Sequence, residues 1–321
     1  MGQNNYPDIS IVYRALNEEK WFEASLVALQ KQVLNNLSME IVLVDSGSTD
    51  STLAIARCFG CRITHIKKES FSFGRSLNQG CGYAKGKYLV FISAHCIPEN
   101  EHWLQNLVQP LIEGAAVYTY GRQVGHDVSH FSEKQIFNKY FPEQSNVPQE
   151  GFFCNNANAA IIKPIWQKYK FDEKVTGLED MVLGKCLHED GYELGYIANA
   201  SVIHVHEETF KQTQRRYYRE ALTLRDILPD VHMSFADFLR YLSASIRFDL
   251  RIAKQQAQLR SSFWSVIRFR LAQYWGAYKG HNEIKKLSRA QKESYYYPDP
   301  QKRRQQPADV PPKIIKRAKS R

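Results

Sequence analysis

Residues 88–92, Tyr-Leu-Val-Phe-Ile, restrict the fold more than any other stretch of this chain. Five apolar residues between Gly86-Lys87 and Pro98 have the length of a strand, and a strand apolar on every position is buried on both faces. The run then stops at Ser93-Ala94-His95-Cys96, where small and polar side chains take over. In an open parallel sheet the carboxyl ends of the strands are where ligands bind. Alone, the stretch reads first as a core strand with an incidental histidine; the segments around it change that.

Residues 9–13, 40–44 and 62–66 read as further strands. Between the first two, Trp21, Phe22, Leu26, Leu29 and Val33 fall on one helical stripe, which predicts a helix over 18–32. Ser48 to Ser51 supply N-cap side chains for a second helix, and Gly74-Arg75-Ser76-Leu77-Asn78 opens a third that ends near Gly86. Strands alternating with helices at this spacing predict an α/β fold with a doubly wound, mostly parallel, Rossmann-like sheet. Residues 123–151, polar and carrying Pro142 and Pro148, read as a long excursion placed to cover a site. Strands are expected again at 192–197 and 200–206. From Glu207 onward the pattern is helix only, over 210–228, 234–260 and 262–278.

No run of 18 apolar residues occurs, and residues 1–8 are polar, so neither a transmembrane helix nor a signal peptide is expected. The six cysteines do not form a disulfide framework, and Cys58-x-x-Cys61 lacks the second pair a zinc knuckle needs; reduced thiols in a cytoplasmic protein are the simplest account. The net charge of +10 is concentrated in residues 284–321, which hold twelve Lys and Arg against three Asp and Glu. That Pro- and Gln-rich tail reads as disordered. The nearly neutral body is no polyanion binder and contains no nucleic-acid reading motif. Aromatic and Arg-rich helices followed by a basic tail suggest peripheral attachment to the anionic inner face of the cell membrane. A helical face packed on the body and followed by a solvated tail would look the same in sequence.

Several segments, in order, carry a resemblance: Val12-Tyr13-Arg14-Ala15-Leu16-Asn17-Glu18-Glu19, then 40–50 ending Asp45-Ser46-Gly47-Ser48-Thr49-Asp50, then Phe73-Gly74-Arg75-Ser76-Leu77-Asn78. It continues through 86–95, Gly177-Leu178-Glu179-Asp180 and Val202-Ile203-His204-Val205-His206. The set, over roughly residues 7 to 225, resembles the family 2 glycosyltransferases of GT-A fold. It lies nearest the rhamnosyltransferase-like branch that builds bacterial surface polysaccharides of capsule or O-antigen type. The resemblance implies a GT-A catalytic domain over 1–228, a helical C-terminal extension over 229–283 and the basic tail over 284–321. It implies a nucleotide-sugar donor, a saccharide or lipid-linked saccharide acceptor, and inversion at the anomeric carbon.

Residue by residue, the family pattern puts Asn17, Glu18, Asp45, Arg75, Asn78, Ser93 and Asn158 near the donor. Glu179 and Asp180 match the family's acid pair, with Asp180 as the base that takes the acceptor hydroxyl's proton. Arg215, Arg216 and Arg219 are within sequence reach of the diphosphate. The chain departs from its relatives at 93–95, where Ser-Ala-His stands in place of Asp-x-Asp. His95 then occupies the metal-binding position, with His204 or His206 as a second ligand; alternation along a strand allows one of the two to face the site, His204 being favoured on alignment. Such a set implies a divalent cation, Mn²⁺ over Mg²⁺. The missing acid also raises an alternative, a catalytically impaired nucleotide-sugar-binding module. A nucleotidyltransferase would need a Gly-rich, Lys- and Arg-bearing loop after the first strand, which Arg14-Ala15-Leu16-Asn17-Glu18 is not.

Overall fold

A computed structural model of the chain describes residues 6–283. The expected basic tail at 284–321 lies outside the described residues. In chain order the elements are β1 (Ile9–Ala15), α1 (Glu19–Gln30), β2 (Met39–Asp45), α2 (Thr52–Cys58), β3 (Arg62–His65) and α3 (Phe73–Tyr83). Next come β4 (Tyr88–Ile92), β5 (Cys96–Pro98), α4 (Trp103–Ile112), β6 (Tyr118–Gly125), α5 (Phe131–Tyr140) and β7 (Asn158–Ile162). The remainder is α6 (Lys163–Tyr169), α7 (Glu179–Glu189), β8 (Leu194–His204), α8 (Phe210–Ile227), α9 (Phe235–Gln255) and α10 (Leu259–His281).

The strands form one sheet of order β3-β2-β1-β4-β7-β6-β8-β5. Strands β3, β2, β1 and β4 pair in parallel, as do β6 and β8, while β7 and β5 run antiparallel to their neighbours. The expected α/β architecture is thus present, as a mixed sheet. The apolar run of β4 is buried at every position because the sheet carries a core on each face. Ile9, Ile11 and Tyr13 point into one core with Phe22, Leu26 and Leu29 of α1 and with Trp103 and Leu107 of α4. Val12, Val42 and Val44 point into the other with Leu77 of α3, Trp166 of α6 and Leu183 of α7, as a period of two along the strand requires.

Two sequence expectations change, and the expected C-terminal helices are present. Residues 123–151 are not a bare excursion: they complete β6 and contain α5, whose Phe137 is buried against the sheet. The two strands expected at 192–197 and 200–206 are one strand, β8, which ends at His204. The helical C-terminal segment is a pair, α9 and α10, that packs on α8 and α5. Gly276 and Gly280, one turn apart, let α10 approach α8 closely: a Cβ on Gly276 would stand 2.3 Å from the Gln214 carbonyl oxygen. Arg270 of α10 is buried and forks onto both oxygens of Asp249 in α9 at 2.7 and 2.8 Å.

Candidate active site

The strand order reverses between β1 and β4. After β1 the chain builds outward through β2 and β3, then returns to lay β4 on the opposite side of β1. Loops leaving the two strands therefore diverge and open a crevice. A cavity of about 270 Å³ lies there, lined by Arg14, Leu16 and Glu18 after β1 and by Ser93, Ala94 and His95 after β4. Phe71, Phe73, Asn156 and Gln212 complete its walls.

Side chains lace the loops behind the crevice together. Asn17, in the left-handed region at φ 56°, accepts from Thr49 N at 2.8 Å, and its own N–H donates to Ser48 Oγ at 3.0 Å. Asp45, 1% exposed, accepts from Gly47 N and Ser48 N, both at 3.0 Å, and lies 3.2 Å from His65 Nδ1. Of the residues expected near the donor, Glu18 and Ser93 line the cavity, while Asn17 and Asp45 shape the loop beside it.

Three residues expected at the donor have other work. Asn158 is fully buried; its Oδ1 accepts from Trp103 Nε1, and its Nδ2 donates to the carbonyls of Arg122 and Ala200. Asn78 is likewise committed, with Oδ1 accepting from Trp166 Nε1 and Phe171 N and Nδ2 donating to Phe171 O and Glu173. Arg75 reaches Glu173 and the Ser70 carbonyl, at 2.8 Å each. With their polar atoms satisfied within the protein, Asn78 and Asn158 are clamps between elements, and Arg75 is turned away from the cavity.

The histidines do converge. Ligand atoms of His95, His204 and His206 all lie within 4.8 Å of one another. The expectation that only one of the last two could face the site assumed a strand continuing to 206. Because β8 ends at His204, the chain turns and brings His206 to the same side. Each ring is oriented from behind: His204 Nδ1 by Gln123 Oε1 at 2.7 Å, His206 Nδ1 by Glu133 Oε1 at 2.7 Å, His95 Nδ1 by Glu18 Oε2 at 3.3 Å. Nδ1 bonded to a carboxylate or amide oxygen is the usual way a protein presents Nε2 to a metal. His204 Nε2 is buried and has no hydrogen-bond partner among the described residues, an orphan that a cation would satisfy. Burial, with His206 and His95 close by, pushes the His204 pKa well below its ordinary value, so the ring is neutral and able to ligate.

Glu133 was not foreseen. It sits in α5 with side-chain exposure of 2%, between His206 and Arg216 Nη2 at 2.5 Å. Burial works to raise its pKa, but the charges of His206 and Arg216 outweigh burial and hold it at about 2. Arg216 also reaches Glu208 at 2.9 Å, so this arginine is spent on one buried and one half-buried carboxylate. Arg219 stands over the Phe73 ring at 4.7 Å.

Behind Arg14 and Asn156 of the cavity wall, Glu179 and Asp180 begin α7, preceded by Leu178 in the left-handed conformation at φ 56°, an uncommon and costly one for a residue with a Cβ. Glu179 pairs with Arg14 at 3.2 Å. Asp180, 8% exposed, accepts from Asn156 N and Met181 N, each at 2.8 Å. Two N–H donors and a helix N-terminus favour the anion. Burial and the adjacent Glu179 win nonetheless and push the Asp180 pKa up to about 7. Asn156, whose backbone holds Asp180, takes a hydrogen bond on Oδ1 from Tyr118 at 2.6 Å and lines the cavity.

A family model described as Glycosyl transferase family 2 matches residues 10–169. Among curated proteins, the chain is similar to the O-antigen chain rhamnosyltransferase WbaN of Salmonella anatum, 25% identical over 275 residues, 80% of this chain and 84% of the relative. It is also similar to the O-antigen chain rhamnosyltransferase RfbN of Salmonella typhimurium, 21% identical over 83% of this chain and 90% of the relative. The solved mannosyltransferase PcManGT from Pyrobaculum calidifontis, in complex with GDP-Man and Mn²⁺, matches with a TM-score of 0.58 at 15% identity, over 88% of this chain and 89% of that one. Glucosyl-3-phosphoglycerate synthase from Mycobacterium tuberculosis, in complex with Mn²⁺, UDP-glucose and phosphoglyceric acid, matches with a TM-score of 0.51 at 19% identity, over 69% and 79%. At such identities the structural likeness speaks to the fold, and the expected GT-A architecture is met.

Proposed function

This chain is a family 2 glycosyltransferase, and we propose that it moves a deoxyhexose of the rhamnose type from a nucleotide-sugar donor to a saccharide or lipid-linked saccharide acceptor. The product would extend a surface polysaccharide of O-antigen type, as the names of its curated relatives suggest. One observation carries the reading: a buried carboxyl with a pKa near neutrality, Asp180, holds the backbone of Asn156, which lines the same cavity as His95.

Asp180 is the group that takes the acceptor hydroxyl's proton as the oxygen attacks the anomeric carbon; a base poised near the working pH is the efficient one. Displacement in a single step, with the base on the acceptor side, inverts that carbon. Glu179 is held by Arg14 and so orients the start of α7 without competing for the proton. Glu18 and Ser93 meet the donor in the cavity, with Asp45 and Asn17 holding the loop against which the nucleotide rests.

The donor set fits a divalent cation, with His95, His204 and His206 as ligands and Gln123, Glu133 and Glu18 orienting them. When bound, such a cation neutralises the charge of the departing diphosphate. Three imidazoles suit Mn²⁺ better than Mg²⁺, which prefers oxygen. Catalysis is assigned to residues 1–228, with 229–283 as a helical extension. A binding module without catalysis is disfavoured by the retention of both Asp180 and the histidine cluster.

A panel of nucleoside-diphosphate sugars, scored by thermal shift and by slow donor hydrolysis, tests the function. A rhamnose donor should raise the melting temperature and be hydrolysed. If no donor in the panel does either, the transferase reading fails for this site.

A further inference from the structure

Helices α9 and α10 carry two kinds of surface. The inner side of α10, with Val266, Phe269 and Ala272, is buried on α8 and α5, while α9 packs mainly on α10, Phe238 against Trp275 and Tyr278. One face of each helix thus packs within the fold, and the other does not.

On the other side of α10, Arg260, Trp264, Arg268 and Leu271 recur at steps of three or four and share one exposed stripe. Trp264, at 69% exposure, is the most exposed large apolar side chain found among the described residues. On α9, Arg240, Arg247 and Arg251 follow one another at steps of seven and four, flanked by Leu239 and Phe248, exposed by 50% and 54%. Arg247, Arg251, Arg260 and Arg268 form no ion pair among the described residues. The two acids of these helices are already engaged: Asp249 with Arg270, Asp237 with Ser234 and Arg240. The outward surface is therefore cationic and apolar at once, with no carboxylate to balance it.

We infer that the outward face of the α9–α10 pair docks on an anionic lipid surface. Arginines at the headgroup level with Trp, Phe and Leu between them are what an interfacial helix presents to such a surface. Two rivals fit less well. A second copy of the chain would bring two cationic faces together, a like-charge contact that costs affinity. A nucleic acid would meet the arginines but leave Leu239 and Leu271 without a partner. Charge continues in the same sense beyond the structure, since residues 284–321 hold twelve Lys and Arg against three acids and begin where α10 has just ended. No helix among the described residues is long and apolar enough to cross a membrane.

Docking there has a consequence for the site. Helix α10 touches α5 through His130 Nδ1 and Ser265 Oγ at 3.3 Å and through Arg270 and the Ser132 carbonyl. The next residue, Glu133, orients His206. A surface that seats on the membrane is thus braced against the element behind the histidine cluster, and the inference rests on the proposed lipid-linked acceptor for its purpose only.

Flotation of the full chain on vesicles tests it. Binding to phosphatidylcholine–phosphatidylglycerol vesicles at low salt, at least tenfold above binding to phosphatidylcholine alone and reduced by high salt, is expected. Removal of 284–321 should weaken flotation but not abolish it. The Phe248→Ser/Trp264→Ser and Arg247→Glu/Arg251→Glu double variants, all at exposed positions, should each lose tenfold or more while donor hydrolysis in solution stays unchanged. A parent that does not float at low salt overturns the inference, as do variants that float like the parent. Loss of a dimer, rather than of flotation, on the same substitutions would assign the face to a second copy. Donor hydrolysis is read separately, so a failed transferase reading leaves the flotation result intact.

Discussion

Glu133 Oε1 stands 2.7 Å from His206 Nδ1 and 2.5 Å from Arg216 Nη2, a buried carboxylate shared between an imidazole and a guanidinium. The arginine holds the carboxylate, and the carboxylate holds the ring. Carboxylates that orient a ligating histidine typically contribute a factor of about 10–100 in metal affinity. Glu133→Gln, which keeps the shape, should weaken Mn²⁺ binding by that factor in calorimetry, with a melting temperature close to the parent's. Unaltered Mn²⁺ affinity in a folded variant would reduce Glu133 to a structural ion pair.

Asp180 couples activity and stability in opposite senses. Its carboxyl keeps its proton up to about pH 7, so transfer should fall tenfold for each pH unit below about 7 and level off above it. Asp180→Asn should nearly abolish transfer and leave donor affinity within a few fold. The sign for stability follows from linkage. Between the ordinary Asp value of 3.8 and about 7 the folded state binds more protons than the unfolded state, so stability attributable to this group declines as pH rises through that window. Asp180→Asn should therefore gain melting temperature relative to the parent at pH 8 compared with pH 5. A gap that does not widen with pH would mean that the carboxyl is not held protonated by burial.

Beside the two backbone N–H donors, Arg14 is the cationic counterweight, lowering the Asp180 pKa while pairing with Glu179. In Arg14→Gln the acid limb of the pH–rate profile should move to higher pH, whatever happens to donor binding. An unmoved limb would separate Arg14 from the base.

How much of this was legible in the sequence depended on range. Strands β1, β2 and β4 announce themselves because a strand buried on both faces is predominantly apolar, a local property. His95, at the end of one such strand, was legible for the same reason. Glu133 was not, since its partners lie 73 and 83 residues away and its own helix sits in a polar stretch with no stripe to advertise it. Asn78 and Asn158 misled because an asparagine saturated by Trp166 or Trp103 and one waiting for a ligand are the same letter. The pairing of His204 with His206 turned on where β8 stops, and strand ends are set by what the backbone meets next.

Gly276 tests how tightly α10 must seat on α8. An alanine Cβ would stand 2.3 Å from the Gln214 carbonyl oxygen, and backbone on both sides leaves nothing flexible to yield. Overpacking of this kind typically costs about 1–3 kcal/mol. Gly276→Ala should lower the melting temperature by several degrees, whereas Gly82→Ala, with open space around its Cβ position, should not. Equal behaviour of the two variants would mean that the helices can separate without loss.

The metal is the sharpest test, because Ser-Ala-His stands at 93–95, where the family resemblance implies Asp-x-Asp. Two arrangements could neutralise a departing diphosphate: a cation on the three histidines, or arginines alone. For the second, the arginine in the cavity wall, Arg14, is already paired with Glu179. Arg75 is turned to Glu173, and Arg216 is committed to Glu133 and Glu208. The histidines, in contrast, are oriented from behind, and His204 Nε2 is buried without a partner among the described residues. EDTA should therefore abolish transfer, Mn²⁺ should restore it more fully than Mg²⁺, and His204→Ala should lose Mn²⁺ binding measured directly by electron paramagnetic resonance. His95→Asp, which returns an oxygen ligand, should keep activity and shift preference toward Mg²⁺. Full activity in chelator, with His95→Ala and His204→Ala both indistinguishable from the parent, would leave the histidine cluster without a catalytic role and require another source of positive charge at the leaving group.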